Sequence, residues 1–459
     1  MKRRDFLKTT GIISGAALTG MNVARSANAA GSDLIKIGLV GCGGRGMGAL
    51  KQRLTVGDNV KLVAIADVFE EKANTAYKSI SEGMKGLFGD KIALTKDKVF
   101  SGFDAYKGSI DNCDQVLIAT TPAFRPTHYR YAVEKGKHVF MEKPCCIDAP
   151  GFRSLMESNK IADEKGLVVV VGFQRHYDPS YQQFFRKVCE ENALGDLMYS
   201  RVYWNGGGIW ERGRMEGDTE MKYQLRNWYH FNWLCGDNIC EQHVHNLDVA
   251  NWIHGKGDPL CHPVKANGMG GRQVRKFPRF KNSGYRWDHF AVEFTYADGS
   301  QAFSQCRHQG NCWNSVEEFF IGTNAYGRPG QGGNSWVKKR GTDELLWTSK
   351  GKSPDSFQTE HNEQAKFIRE GKKVNNGWYG AISSFTAVFG RMVAMSGKEL
   401  TWDEAVNKGK AEFPVEGVKS WDQIPPIVPD KNPPAVPAKG EFIYEESVPI
   451  PGIWKWSMD

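Results

Sequence analysis

The sequence predicts an α/β chain: a doubly wound parallel sheet first, then an α+β domain built on an open, mostly antiparallel sheet. Three observations carry this. An apolar strand pattern at residues 35–40 runs directly into Gly41-Cys42-Gly43-Gly44-Arg45-Gly46, with a helical pattern at 47–54 behind it. Buried-strand runs recur at 61–66, 115–120 and 138–141, separated by helical stretches. From residue 198 onward, sheet-like segments such as 198–204, 288–296 and 301–308 alternate with Gly-rich loops.

The chain has 459 residues, enough for two or three domains with real cores. Its 40% hydrophobic and 24% charged residues are ordinary globular values. The formal charge of +8 falls to about +4 once the basic first 29 residues are set aside. That balance is too weak to imply a nucleic-acid partner, and no basic run or nucleic-acid motif is present. No apolar run of 18 residues exists to cross a membrane. The ten Cys form no paired CxxC knuckles, so no metal site is expected; most read as small buried residues, and disulfides stay open. The 14 Trp fit an aromatic core, some of them a platform for sugar rings.

Residues 1–29 read as an export address. Arg3-Arg4 followed by Phe6-Leu7-Lys8, a short apolar stretch and Ala27-Asn28-Ala29 make a twin-arginine signal with its cleavage site. The expected location is therefore periplasmic or otherwise exported. That route carries folded proteins, which gives a cofactor-loaded enzyme a reason to use it and to hold its cofactor tightly.

Residues 30–165 are expected to form the nucleotide-binding domain. Gly41, Gly43 and Gly46 match G-x-G-x-x-G between a strand and a helix, and the next strand ends in Asp67, 21 residues after Gly46. This is the Rossmann dinucleotide context. The glycines, with Gly44 and Arg45, admit the pyrophosphate at the helix N-terminus, and Asp67 is placed to accept from the adenosine ribose hydroxyls. A carboxylate there favours NAD over NADP, although the neighbouring Arg45 blunts the preference. Thr120-Thr121-Pro122, with His128 on the following helix, and Glu142-Lys143-Pro144 lie at strand ends, where ligands of such sheets bind.

The Gly-rich turn, the Thr-Pro turn and Glu142-Lys143-Pro144 together resemble the glucose-fructose oxidoreductase, inositol dehydrogenase and rhizopine-catabolism (Gfo/Idh/MocA) family, over roughly residues 35–397. The resemblance implies that residues 166–411 form the substrate domain. Gln174 to Pro179 resembles the family's turn into it, making Arg175, His176 and Tyr177 candidate substrate contacts. Residues 235–248 resemble the family's helix on which an Asp and, four residues later, the catalytic His share a face. Glu241 takes the Asp place, a departure that lengthens the arm, and His245 the His place. His243 stands where a small residue is usual and is a further substrate candidate. Trp210, in the Gly-rich loop 205–214, is a candidate lid residue over a polyol. Residues 412–459, rich in Pro from Pro425 to Pro437, read as an extended arm.

The implied chemistry is hydride transfer between a sugar, polyol or glycoside carbinol and a nicotinamide cofactor. Lys143 would supply charge at the reacting oxygen, His245 would take the proton, and Glu241 would tune His245 or bind a hydroxyl. Two alternatives stand beside it: an NAD-dependent glycoside-cleaving enzyme working by transient ring oxidation and elimination, and a non-catalytic sugar- or nucleotide-binding protein. A homo-oligomer is expected, with a carbohydrate as the small-molecule partner.

Overall fold

The computed structural model describes residues 33–273, 284 and 286–426. The signal segment at 1–29 lies outside the described residues, as does the arm from residue 427 onward.

The first sheet has six parallel strands: β1 (Ile35–Val40), β2 (Val60–Asp67), β3 (Val99–Ser101), β4 (Gln115–Ile118), β5 (His138–Met141) and β6 (Val169–Val171). Their order, β3-β2-β1-β4-β5-β6, reverses direction at β1, the doubly wound pattern of a dinucleotide-binding fold. The central strands are largely buried and rich in Val, Ile, Leu and Ala, with Lys36 and Lys61 near their outer ends. β6 pairs with β5 through Val139–Val169 and Met141–Val171, so this sheet runs past residue 165, where the sequence placed the boundary.

The second sheet has nine strands: β7 (Leu197–Gly206), β8 (Lys265–Gly271), β9 (His289–Thr295), β10 (Gln301–His308), β11 (Ser315–Gly322), β12 (Ala325–Arg328), β13 (Trp336–Lys339), β14 (Leu345–Thr348) and β15 (Leu400–Thr401). The order is β14-β13-β12-β11-β7-β10-β9-β8-β15. β10 and β7 run parallel; the other pairs are antiparallel. Alternate residues of β10 (Ala302, Ser304, Cys306, His308) are buried while the others face outward, the period of a sheet covered on one face.

The helix Gly377–Ser396 joins the two sheets. It is mostly apolar and almost wholly buried, and its charged residue, Arg391, is buried in an ion pair with Glu412. It packs on β6, β8, β9 and the helices Ala149–Glu164 and Val244–His254. The Asn376 amide donates to the Val169 carbonyl, which seats the helix start against the edge of the first sheet.

All ten cysteines are free, and seven of them are buried. Among the described residues no helix is long and apolar enough to cross a membrane, and no cluster of His, Cys, Asp and Glu is arranged to hold a metal ion.

Candidate functional site

The carboxyl ends of β1, β2, β4 and β5 open into a cavity of about 530 Å³, roofed by segments of the second half of the chain. At its floor the Gly-rich turn is sterically committed to glycine. Gly41 has φ +99°, and a Cβ on Gly46 would stand 1.9 Å from the Gly41 carbonyl oxygen. A Cβ on Gly43 or Gly44 would meet nothing within 4 Å, so the backbone there faces open space at the start of the helix Gly44–Thr55. This cradle fits a pyrophosphate.

Asp67 closes β2 beside the turn. Its Oδ2 accepts from the Cys42 amide at 2.8 Å and its Oδ1 from the Phe69 amide at 3.0 Å. Burial raises its pKa, against the pull of Lys72 and these amides. Lys72, Phe69, Phe103, Tyr106, Trp210 and Arg212 surround this end of the cavity. Arg212 stacks on Trp210 at 4.7 Å, and Trp421 covers Phe69 and Phe103 at ring distances of 5.1 and 4.8 Å. Trp210 stands beside Arg212 and packs edge-on against Trp228 and Tyr229, each at 6.1 Å.

Arg45 does not point freely into the ribose region. Its Nε donates to Glu142 at 2.5 Å, one Nη to Glu360 at 3.0 Å and the other to Gln52 at 2.8 Å, and it lies over Phe357. Glu360 is fully buried; its second oxygen has no partner, and burial beside Glu142 pushes its pKa well up. Gly172 makes room for this arrangement, since a Cβ there would press on the Glu142 carboxylate at 2.9 Å.

At the opposite end Lys143 emerges from β5, followed by a cis bond to Pro144. Its Nζ donates to Glu241 Oε2 at 2.9 Å and to the Glu241 carbonyl at 2.5 Å. Residues 238–254 are not one continuous helix. A short turn, Asn238–Glu241, ends at Gln242, and a new helix, Val244–His254, begins. The break leaves the Glu241 carbonyl free for Lys143. Glu241 thus pairs with the lysine, a partner the sequence reading did not give it.

His245 also faces the cavity. Its ring lies near Trp204 at 6.0 Å and Phe173 at 5.8 Å, and its Nδ1 is buried without a partner. Burial, reinforced by the charges of Lys143, Arg175 and Arg45, depresses its pKa well below 6.5, so the ring is neutral. His128 donates to or accepts from Thr120 at 3.1 Å and is likewise neutral, held down to about 3 by burial and Arg125.

Residues 35–173 match the Gfo/Idh/MocA family, described as an oxidoreductase family with an NAD-binding Rossmann fold. An inositol 2-dehydrogenase of Klebsiella pneumoniae is 24% identical over 222 residues, 48% of this chain and 54% of that protein. An inositol 2-dehydrogenase/D-chiro-inositol 3-dehydrogenase of Lactiplantibacillus plantarum is 27% identical over 48% of this chain and 52% of that protein. The chain thus spans about half the length of the curated relatives it matches. The fold extends further. Scyllo-inositol dehydrogenase from Lactobacillus casei, solved with NAD(H) and scyllo-inositol, superposes with a TM-score of 0.58 at 18% identity, over 80% of this chain and 99% of that one. Aldose-aldose oxidoreductase from Caulobacter crescentus gives 0.60 at 16% identity, over 80% and 99%.

The cavity gathers Gly41, Gly43, Gly44, Arg45, Gly46, Asp67, Thr120, Thr121, His128, Glu142, Lys143, Trp210, Glu241 and His245. Pro122 is buried just behind Thr121 and does not line it. Four substrate candidates also stand elsewhere. Arg175 is buried in an ion pair with Glu318. His176 binds Asp248 at 2.9 Å and stacks between Tyr379 and Trp252. The Tyr177 hydroxyl donates to Asn376 at 2.6 Å. His243 is fully buried with its Nε2 on Ser304 at 2.7 Å. Arg175, His176 and Tyr177 thus tie the turn after β6 to later segments of the chain, while the His243 bond lies within the second half. The sequence reading missed Arg125, Lys72, Arg212 and Phe357, which do line the cavity. Arg125 carried a signal: it lies three residues beyond the Thr-Pro turn, on the helix that starts at a strand end.

Proposed function

We propose that this protein is a nicotinamide-dependent oxidoreductase that moves a hydride between the carbinol carbon of a sugar or polyol and the dinucleotide. One observation carries the reading: a single cavity holds the Gly-rich cradle and Asp67 at one end and Lys143, Glu241 and His245 at the other. The residues fit NAD. Gly41, Gly43, Gly44 and Gly46 would hold the pyrophosphate and Asp67 the adenosine ribose, and the bound cofactor would supply the hydride acceptor. Lys143 places a positive charge where an alcohol oxygen loses its proton, and Glu241 fixes that ammonium by two acceptors. His245 is neutral and therefore able to take the proton. Three of the relatives named above are inositol dehydrogenases and one is an aldose-aldose oxidoreductase, which supports a cyclic polyol or sugar here.

We further propose that NAD is favoured over NADP and is held through turnover. Support comes from Asp67 at the ribose position and from the cover formed by Trp210, Arg212 and Trp421. Export by the twin-arginine route remains our reading of residues 1–29; replacing Arg3 and Arg4 by Lys should trap the precursor in the cytoplasm.

The test is a screen of purified protein with free sugars, polyols and aryl glycosides, reading NADH formation and aglycone release together. Reduced cofactor with free sugars or polyols supports the proposal. Aglycone release without net NADH would turn it to the glycoside-cleaving alternative, and neither signal with cofactor still bound would turn it to a binding protein.

A further inference from the structure

The charges at the reacting end of the cavity do not balance. Lys143 is paired with Glu241, and Arg45 with Glu142. Glu360, the other partner of Arg45, is a buried carboxyl with one unpartnered oxygen. Arg125 is left over. It lines the same cavity at 4% exposure, and among the described residues it makes no ion pair. One guanidinium nitrogen donates to the Pro144 carbonyl at 2.6 Å, and Nε is buried with no partner. Glu241 and Glu142 act on it only through space, beyond ion-pair distance.

A guanidinium withdrawn from water without an anion is strongly unfavourable, and a planar fork of N–H donors is matched best by an oxyanion. Pro144, to which Arg125 is tied, directly follows Lys143, so any anion that Arg125 receives lies beside the reacting hydroxyl. A neutral polyol offers that guanidinium hydroxyl acceptors but no counter-charge.

We propose that Arg125 is a specificity-determining residue that binds a carboxylate on the substrate, so that the hydroxyl oxidised belongs to a sugar acid. The inference rests on the oxidoreductase reading above and names the substrate class of that same site. The cofactor pyrophosphate is the other oxyanion available to Arg125, and the experiment separates the two.

The probes are glucuronate and galacturonate, each against its neutral partner, glucose and galactose. Binding to NADH-loaded protein is measured by calorimetry, and turnover with NAD by NADH formation. In the wild type the acids should bind about tenfold to a hundredfold tighter than the neutral sugars, the range of one charge-assisted bidentate contact. Arg125→Gln should abolish that preference while NAD affinity stays within a few-fold, and Arg125→Lys should keep part of it. Equal or tighter binding of the neutral sugars by the wild type overturns the proposal, even if Arg125→Gln fails to fold. So does failure of both acids to bind, or an Arg125→Gln protein that loses NAD affinity and keeps its acid preference. Neutral sugars turned over as well as acids would sink the role of Arg125 alone; a protein that binds no dinucleotide would sink the oxidoreductase reading instead.

Discussion

Lys143 Nζ sits 2.9 Å from Glu241 Oε2 and 2.5 Å from the Glu241 carbonyl, so one ammonium from the first sheet is held by both polar ends of one residue of the second half. An Asp at position 241 is shorter by one methylene. The Glu side chain spans the gap while its carbonyl, freed by the helix break at Gln242, takes a second proton of the same ammonium. The pair anchors the reacting charge at the junction of the two halves.

Lys143→Ala and His245→Ala should each lower hydride transfer by about 10²–10⁴-fold, the usual loss for a positioned acid/base group. Dissociation constants for NAD should change far less, since neither residue belongs to the Gly-rich cradle. Glu241→Gln keeps one acceptor for Lys143 and should cost less. Because the His245 pKa is depressed, its ring stays neutral as pH falls through 6.5, and turnover should show no acid limb there. Single-turnover rates and fluorescence titrations check all three variants; near-normal turnover in folded His245→Ala would remove it from the site.

The sequence carried the first half of this site well. β1, the glycines of 41–46, Asp67 and Lys143 are local features whose spacing alone implies a strand, a tight turn and a helix. Three kinds of residue escaped it. Arg175 and His176 followed the family pattern, but their partners, Glu318 and Asp248, lie 143 and 72 residues away, and no local spacing shows those pairings. The break between Glu241 and His245 accompanies the Lys143–Glu241 contact, which joins residues 98 apart. The lone charge of Arg125 becomes visible only when every nearby cation has been matched with its carboxylate.

Gly46→Ala should abolish cofactor binding. Its Cβ would lie 1.9 Å from the Gly41 carbonyl oxygen, with backbone rather than a flexible side chain in the way. Gly43→Ala, with nothing within 4 Å, should keep the fold and weaken only the close approach of a pyrophosphate. Calorimetric NAD titration of both variants checks this; tight binding by Gly46→Ala would show that the turn is not the cradle.

Wild-type protein should prefer NAD to NADP, and Asp67→Ala should narrow or reverse that preference. The removed carboxylate leaves Lys72 and Arg212 at the same end of the cavity, and both attract a 2′-phosphate. Asp67→Asn retains an acceptor for the Cys42 amide and separates loss of the turn from loss of charge. Equal wild-type affinity for the two dinucleotides would count against Asp67 as the discriminator.

Glu360→Gln should leave stability nearly unchanged, within about 1 kcal/mol, because burial beside Glu142 pushes the Glu360 pKa well up and an amide matches the neutral carboxyl in shape. Glu142→Gln, which removes the carboxylate that Arg45 Nε contacts, should be distinctly more harmful. Urea denaturation of the two variants at pH 7 gives the comparison. A large loss in Glu360→Gln would mean that Arg45 needs two carboxylates, not one.

His254 gives the clearest pH test. It is buried between Ser200 and Ser300, with ring nitrogens at 2.8 and 2.7 Å from their hydroxyls, and stacked on Tyr296 at 4.0 Å. Burial depresses its pKa to about 3, far below that of an exposed imidazole. The folded state therefore refuses a proton that the unfolded state accepts below about pH 6.5. Stability rises with pH wherever the unfolded chain binds more protons, so this residue stabilises least in acid and its full contribution is present above pH 6.5. At pH 5 the deficit from one such histidine is about 2 kcal/mol relative to pH 8. His254→Gln should be less stable at pH 7, having lost the serine bonds, yet lose less on going to pH 5. The slope of unfolding free energy against pH between 6 and 4 should fall by the equivalent of one proton. The remaining groups titrate alike in both proteins, so the difference isolates His254; an unchanged slope would show that the ring is protonated in the folded state.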